Sequence, residues 1–242
     1  MGRVTVLISS KGGSGKSTVA VGLASAFSDS KKSVLLIDAD EGARCLDTML
    51  GVNEKTCFDL SDVLHGRCEP DEAAIEAPLL KDTKVIPSPF SSEPIDFDAL
   101  SRLSIECSKR YDYVIIDTKG QLPTERLSLL PHDALFISVV TPDDIAVRNT
   151  GLQNAALFSD GIKCRLIIDR FKRKRSDGRI NCIDDLIDRS AARLIGIVPE
   201  DGDITGSNSR QCRVGKAASA IYRIAARIDG EDIPLPKIQM IT

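Results

Sequence analysis

The stretch Ser10-Lys11-Gly12-Gly13-Ser14-Gly15-Lys16-Ser17-Thr18 sets glycines among lysines and hydroxyls, directly behind the apolar run Val4–Ile8 and ahead of a helix-like segment from Thr18 to Phe27. That order is what a phosphate cradle requires. Glycines let successive backbone N–H groups converge on one anion, and a helix N-terminus adds its partial positive charge. Gly12, Gly13, Ser14, Gly15 and Thr18 would form the cradle, Lys16 would reach the β- and γ-phosphates, and the Ser17 hydroxyl would complete a Mg²⁺ shell. A Gly-rich turn between a strand and a helix is the plain alternative, and the strand and helix context favours the cradle. The implied ligand is a nucleoside triphosphate. Position 10 is Ser where the ordinary pattern has Gly, and a second lysine, Lys11, stands at the front of the loop.

A second feature supports the first. Tyr111-Asp112-Tyr113-Val114-Ile115-Ile116-Asp117 is an apolar strand with an acid at its tip. A carboxylate there can hold the water shell of Mg²⁺ opposite Ser17. An acid at a strand end can equally be a turn former; behind a phosphate loop at this chain distance, the metal role for Asp117 is favoured.

With Lys11 in front, residues 11–18 resemble the deviant phosphate loop of the MinD/ParA ATPases, whose extra lysine crosses a dimer interface to the partner's nucleotide. The resemblance implies that Lys11 acts in trans as an arginine finger does, stabilising charge as the γ-phosphoryl leaves; a solvated surface lysine is the other reading. Asp38-Ala39-Asp40-Glu41-Gly42-Ala43-Arg44-Cys45-Leu46-Asp47 looks like the switch I of the MinD branch, D-x-D-x-G-x-R-x-L-D. It implies that Asp38 sits near Mg²⁺ and that Asp40 helps orient the attacking water, or that one of the two acids caps the following turn. Leu194-Ile195-Gly196-Ile197-Val198-Pro199-Glu200-Asp201 resembles the late signature L-x-G-x-x-P-E-D, which places Pro199 near the adenine. The base-contact position falls on Asp169, followed by Arg170. The similarity spans about residues 1 to 228. Four motifs in the right order are far more specific than one.

Four departures from the family pattern matter. Switch II reads D-x-P-A-G in the MinD branch, whereas Asp117 is followed by Thr118-Lys119-Gly120-Gln121, which implies slow or unusually coupled hydrolysis. Many relatives carry Asn-Arg where this chain has Asp169-Arg170. An ionised Asp only accepts hydrogen bonds, so it suits the adenine amino group but also guanine N1 and N2 protons. The family implies ATP. Third, the amphipathic segment Val214–Ile228 reads as the last helix covering the sheet. The tail after it, Asp229-Gly230-Glu231-Asp232 with Pro234 and Pro236, cannot form a lipid-binding helix, so membrane association has no sequence basis. Fourth, Arg170-Phe171-Lys172-Arg173-Lys174-Arg175 with Arg179 is the densest basic run; it could grip DNA phosphates, although such runs are more often solvated loops.

These residues need a scaffold that brings them to one place. Short β-branched runs at Val4–Ile8, Val34–Ile37, Val85–Ile86, Tyr113–Ile116, Ala134–Val140, Arg165–Ile168 and Leu194–Val198 alternate with helical patterns at Lys16–Ser28, Asp96–Lys109, Asp143–Phe158, Ile183–Ala192 and Val214–Ile228. Several runs are apolar at consecutive positions, the mark of strands covered on both faces. The expected fold is α/β: a doubly wound, mostly parallel sheet with helices on both faces, of the P-loop NTPase type. Its ligand would sit beyond the carboxyl ends of the strands, where the phosphate loop, Asp38, Asp117 and Asp169 all fall. Residues 1–228 are expected as a single ATPase domain and 229–242 as a short C-terminal tail.

Composition agrees and excludes alternatives. In 242 residues, 42% hydrophobic and 28% charged content argues against disorder. The net charge of −3 offers no global attraction to nucleic acid or anionic lipid. The 7 cysteines form no CxxC pair and the His count is 2, so zinc and iron–sulfur spacings are absent, and with them the metal-cluster carriers of this superfamily. Scattered thiols, no leader-like N-terminus and no apolar run near roughly 18 residues suggest a cytoplasmic protein. The leading expectation is a MinD-like ATPase that uses ATP and Mg²⁺ to form a homodimer, engages a protein partner and acts in spatial regulation such as division-site placement. A ParA-like DNA-binding ATPase and a slowly hydrolysing nucleotide-binding adaptor are the alternatives; nucleic acid is possible but not favoured.

Overall fold

In the computed structural model, which describes residues 1–90, 94–173, 182–201 and 214–236, strands and helices alternate as the apolar runs predict. The order is β1 (Arg3–Ile8), α1 (Lys16–Asp29), β2 (Val34–Ala39), α2 (Leu46–Leu50), a 3₁₀ turn (Asn53–Lys55), α3 (Leu60–Leu64), α4 (Pro70–Ala73), β3 (Ile75–Glu76), β4 (Thr83–Ile86), α5 (Phe97–Cys107) and β5 (Tyr113–Thr118). There follow α6 (Thr124–Leu127), β6 (Leu135–Val140), α7 (Asp144–Ser159), β7 (Cys164–Phe171), α8 (Ile183–Ser190), β8 (Arg193–Pro199) and α9 (Lys216–Asp229). Among the described residues the strands form one sheet in the order β3-β4-β2-β5-β1-β6-β7-β8, parallel except for β3, which runs antiparallel to β4. No helix among them is long and apolar enough to cross a membrane.

The consecutive apolar residues have a simple cause. Leu36, Ile115, Ile137 and Val139 point into a core under α1 and α9, while Leu35, Ile37, Val114, Ile116 and Phe136 point into a second core that includes Phe97, Leu100 and Leu103 of α5. Val140, Leu166 and Ile168 pack with Val147 of α7 and Leu186 of α8. Both faces are covered, so neighbouring positions are both apolar. The central helix α1 is buried nearly all round, with Val19, Ala20, Val21, Leu23 and Ala24 at most 1% exposed. Such a helix reads as hydrophobic rather than amphipathic. In α9, by contrast, a single stripe of Ala217, Ile221, Ile224, Ala225 and Ile228 is buried on the sheet, as expected for a covering helix.

The strands run further than their apolar runs suggest. Asp38 and Asp117 lie inside β2 and β5 and are register partners, because backbone pairing continues to Ala39 and Thr118. Asp169 lies inside β7, which reaches Phe171 across a register shift against β8. At the far end α9 includes Asp229, assigned to the tail from the sequence; its carboxylate accepts from the Tyr113 hydroxyl at 2.5 Å and pairs with Lys32 at 3.5 Å. The short α2, α3, α4 and α6 and the two-residue β3 have too few residues to show a period. Ile224 is wholly buried. Ile224→Ala should therefore lower unfolding free energy by about 2–5 kcal/mol, read as an earlier urea midpoint with unchanged slope.

Candidate functional site

At the carboxyl edge of the sheet, the loops after β1, β2, β7 and β8 enclose a cleft of about 1070 Å³, lined by residues 12–18, Asp40, Asp169, Arg170 and Pro199 among others. Its centre is the start of α1. Gly15 holds that position with φ of 92°, a left-handed conformation that side chains resist, and no side chain caps the helix. The first turn of α1 carries no acid, so its exposed N–H groups and positive end are left for an anion. Gly12 and Gly13 look onto open space. Lys16 is 6% exposed. The buried Ser14 hydroxyl has no hydrogen-bond partner among the described residues.

Beneath the loop sit the acids. Asp117 is buried, and neither of its oxygens accepts a hydrogen bond of ordinary geometry. Burial lifts its pKa to about 6, while Lys16 and the neighbouring Ser17 hydroxyl pull it down. Asp38, on the adjoining strand, is pushed to about 7, first by burial and then by the charge of Asp117. Its oxygens differ from those of Asp117 in being engaged: Oδ1 accepts from Asp40 N at 3.1 Å and Oδ2 from Leu46 N at 3.0 Å. Asp38 thus holds the switch I backbone, and Asp117 is the acid whose two oxygens are both unengaged among the described residues. Asp40 is half-buried; burial raises its pKa, and Lys16 and Lys119 oppose that. Its carbonyl is fixed by the Ser88 hydroxyl at 2.8 Å.

These residues fit magnesium and a triphosphate. No three of the His, Cys, Asp and Glu side chains among the described residues converge as a metal cage. Mg²⁺ favours such sites, because it keeps several waters and shares its remaining positions with phosphate oxygens. Ser17 and Asp117 could hold it there, with Asp38 behind them. The orphaned carboxylate of Asp117 is the observation that calls for a cation.

The cleft is also lined by apolar and acidic residues, Val198, Pro199, Ala217 and Ile221 with Asp169, Glu200 and Asp201. Asp169 is 7% exposed and raised to about 6 by burial, with Arg170 opposing. Its carboxylate packs against Gly15 so closely that a β-carbon there would collide with Oδ2. Arg170 donates to Gly13 O at 2.7 Å. Lys172 pairs with Glu200. The first members of the basic run are therefore engaged around the cleft, while Lys174, Arg175 and Arg179 lie outside the described residues. Lys11, next in the chain to the cleft-lining Gly12, has a side chain 54% exposed, with Nζ 3.4 Å from Asp143 Oδ2.

The structure thus brings Lys16, Ser17, Asp38, Asp40 and Asp117 together, sets Asp169 and Arg170 against Gly15 and Gly13 of the phosphate loop with Pro199 lining the same cleft, and leaves the Lys11 side chain more than half exposed. It also shows what the motifs did not. Lys119, noted in the sequence only as a departure from the switch II pattern, lies within electrostatic reach of Asp40. Arg44 donates to Asp47 at 2.6 Å and stacks 3.6 Å over the Phe90 ring, tying switch I to the loop after β4.

The raised acids carry a pH signature. The unfolded chain releases these protons near pH 3.8 and the folded chain only near 6 to 7. Between those limits the folded state binds more protons, so its stability falls as pH rises. Without nucleotide and Mg²⁺, the protein should melt at a higher temperature near pH 6 than near pH 8. Asp117→Asn should flatten that slope, and thermal melts across a buffer series would read it.

Comparison with known proteins agrees with this geometry. A family model described as an AAA domain matches residues 2–158. The septum site-determining protein MinD of Synechocystis is 30% identical across 97% of this chain and 92% of its own length. Among solved structures, the MinC:MinD cell division protein complex of Aquifex aeolicus superposes with a TM-score of 0.84 at 28% identity, covering 97% of this chain and 99% of that one. The septum site-determining protein MinD of Pyrococcus horikoshii, complexed with Mg-ADP, has the same fold, with a TM-score of 0.83 at 24% identity over 95% of this chain and 97% of that one.

Proposed function

The chain belongs to the MinD branch of the MinD/ParA ATPases, and we propose that it works as an ATP-driven dimerising switch in division-site placement, in the cytoplasm. The supporting observation is the division of labour between its two loop lysines. Lys16 is buried in its own phosphate loop, whereas the Lys11 side chain is more than half exposed and, among the described residues, held only by Asp143. A cation turned outward is available to a second copy.

In this reading the N–H groups of residues 12–18 and Lys16 bind the phosphates. The Ser17 hydroxyl and Asp117 hold Mg²⁺, which when bound offsets charge on the β- and γ-phosphate oxygens. Asp38 keeps switch I in register through its two backbone contacts. Asp40 orients the attacking water; positioning matters more here than base strength. Asp169, Arg170 and Pro199 receive the nucleoside, with Asp169 as an acceptor for amino protons of the base. Lys11 leaves Asp143 and crosses to the partner's nucleotide, and phosphate release reverses the association. Two states with different affinity for one ligand suffice for a switch. A protein that binds the dimer surface would read it; the solved MinC:MinD complex is a precedent in a relative.

The altered switch II has a role in this scheme. Gly120 packs so tightly on the phosphate loop that a β-carbon would sit 3.0 Å from Gly12 N, and Gln121 N donates to Ser9 O at 2.8 Å. The loop thus follows phosphate-loop movement through backbone contacts, without the family's proline. The ParA-like reading has less support, since Arg170 and Lys172 are engaged at the cleft.

Light-scattering mass with ADP, ATP or GTP and Mg²⁺, with released phosphate assayed in the same samples, tests the scheme. ATP should give a dimer that Asp40→Ala traps and Lys11→Ala abolishes, with phosphate release falling to background in both variants. A monomer in every nucleotide would sink the switch. A stable ATP dimer with negligible turnover in the wild type would instead identify a nucleotide-binding adaptor.

A further inference from the structure

Ser10, the residue that departs from the ordinary loop pattern, is not accounted for by phosphate binding. It is 8% exposed and turns away from the cleft. Its Oγ lies 3.0 Å from Ala146 O and 2.8 Å from Thr150 Oγ1, two positions one turn apart on α7. A hydroxyl has one proton and two lone pairs. Ser10 donates to the Ala146 carbonyl, and Thr150, itself wholly buried, donates to Ser10. Both hydroxyls are then satisfied away from water, where leaving one unpaired is costly.

The neighbouring contacts show what this arrangement controls. Asp143, the N-cap of α7, accepts from Ala146 N at 2.9 Å and also holds Lys11 Nζ at 3.4 Å. On the opposite side, Ser9 Oγ donates to Lys11 O at 2.9 Å, Gln121 N donates to Ser9 O, and Gly120 lies so near that a β-carbon there would sit 3.1 Å from Lys11 O. The backbone carrying Lys11 is therefore held between the switch II loop and the first turns of α7. Its side chain is held by an exposed ion pair, which is weak.

We propose that Ser10 and Thr150 form a buried bolt that fixes the backbone of Lys11 while leaving its side chain free to swing, so that Ser10 is a positioning residue for the trans-acting lysine. The inference rests on the reading of Lys11 given above. A fixed pivot limits the conformational entropy lost when Lys11 reaches a partner's phosphates. The bolt therefore acts on dimer formation and leaves nucleotide binding by a single chain untouched.

The test compares wild type, Ser10→Ala, Thr150→Val, their double variant and Lys11→Ala, each measured for ADP affinity by calorimetry and for dimer dissociation in Mg-ATP. Asp40→Ala in every background suppresses turnover during the dimer measurement. Ser10→Ala and Thr150→Val should each weaken the dimer about tenfold, the double variant no more than either single, with ADP affinity unchanged within about twofold. Intact ADP binding doubles as the check on folding. Equal losses of ADP binding and dimerisation would make Ser10 a structural part of the phosphate loop and overturn the inference. So would a dimer abolished by Lys11→Ala but indifferent to Ser10→Ala and Thr150→Val, and in that case the trans-lysine reading survives. A wild type that stays monomeric in ATP, or a Lys11→Ala variant that dimerises normally, overturns both.

Discussion

Two carboxylates on adjacent parallel strands, Asp38 and Asp117, are register partners in the interior of the sheet, and the rest of the site is arranged around that placement. Buried like charges side by side are unfavourable unless protonated or matched by cations. The fold supplies part of the match. Lys16 comes from the start of α1, and the backbone N–H groups of Asp40 and Leu46 satisfy Asp38. The remainder is left open at Asp117. A metal-bearing triphosphate brings both the cation that this acid lacks and the anion that the bare end of α1 lacks. The affinity of the cleft for its ligand and the strain of the ligand-free state therefore have one origin.

Parallel strand direction makes this convergence possible. Every strand that contributes a functional loop ends at the same edge, so residues far apart in sequence meet there without long connections. Switch I and switch II are continuations of the neighbouring strands β2 and β5, β2 lying between β4 and β5 and β5 between β2 and β1. Thr118 Oγ1 donates to Leu7 O at 2.8 Å, stitching the end of β5 to β1 just before the phosphate loop departs. The phosphate loop is thus tied directly to the start of switch II, and switch I joins it through the pairing of β2 with β5.

Much of this was legible in the sequence, and the reasons are specific. The β-branched runs revealed the doubly covered strands because both faces need apolar residues, and the glycine–lysine loop revealed the anion site because few residue types tolerate its backbone. Strand ends were less legible: pairing of Asp38 with Asp117 depends on neighbouring strands, which no local pattern encodes. The short helices between β2 and β4 were invisible for want of a full period. The different duties of Asp38 and Asp117 could not be read either. Both are acids at the end of apolar runs, and only the path of the chain after Asp40 shows that one already accepts a backbone hydrogen bond on each oxygen. Ser10 is a similar case, since a serine in a glycine-rich loop has no local mark of the helix it binds 136 residues later.

The two-residue strand β3 has a consequence for how copies of this chain can meet. A long parallel sheet that ended at β4 would present a row of unpaired backbone groups, and such an edge recruits further strands without limit. A short antiparallel strand ending in Glu76 covers that row and reverses its direction. Open-ended stacking along that border is discouraged.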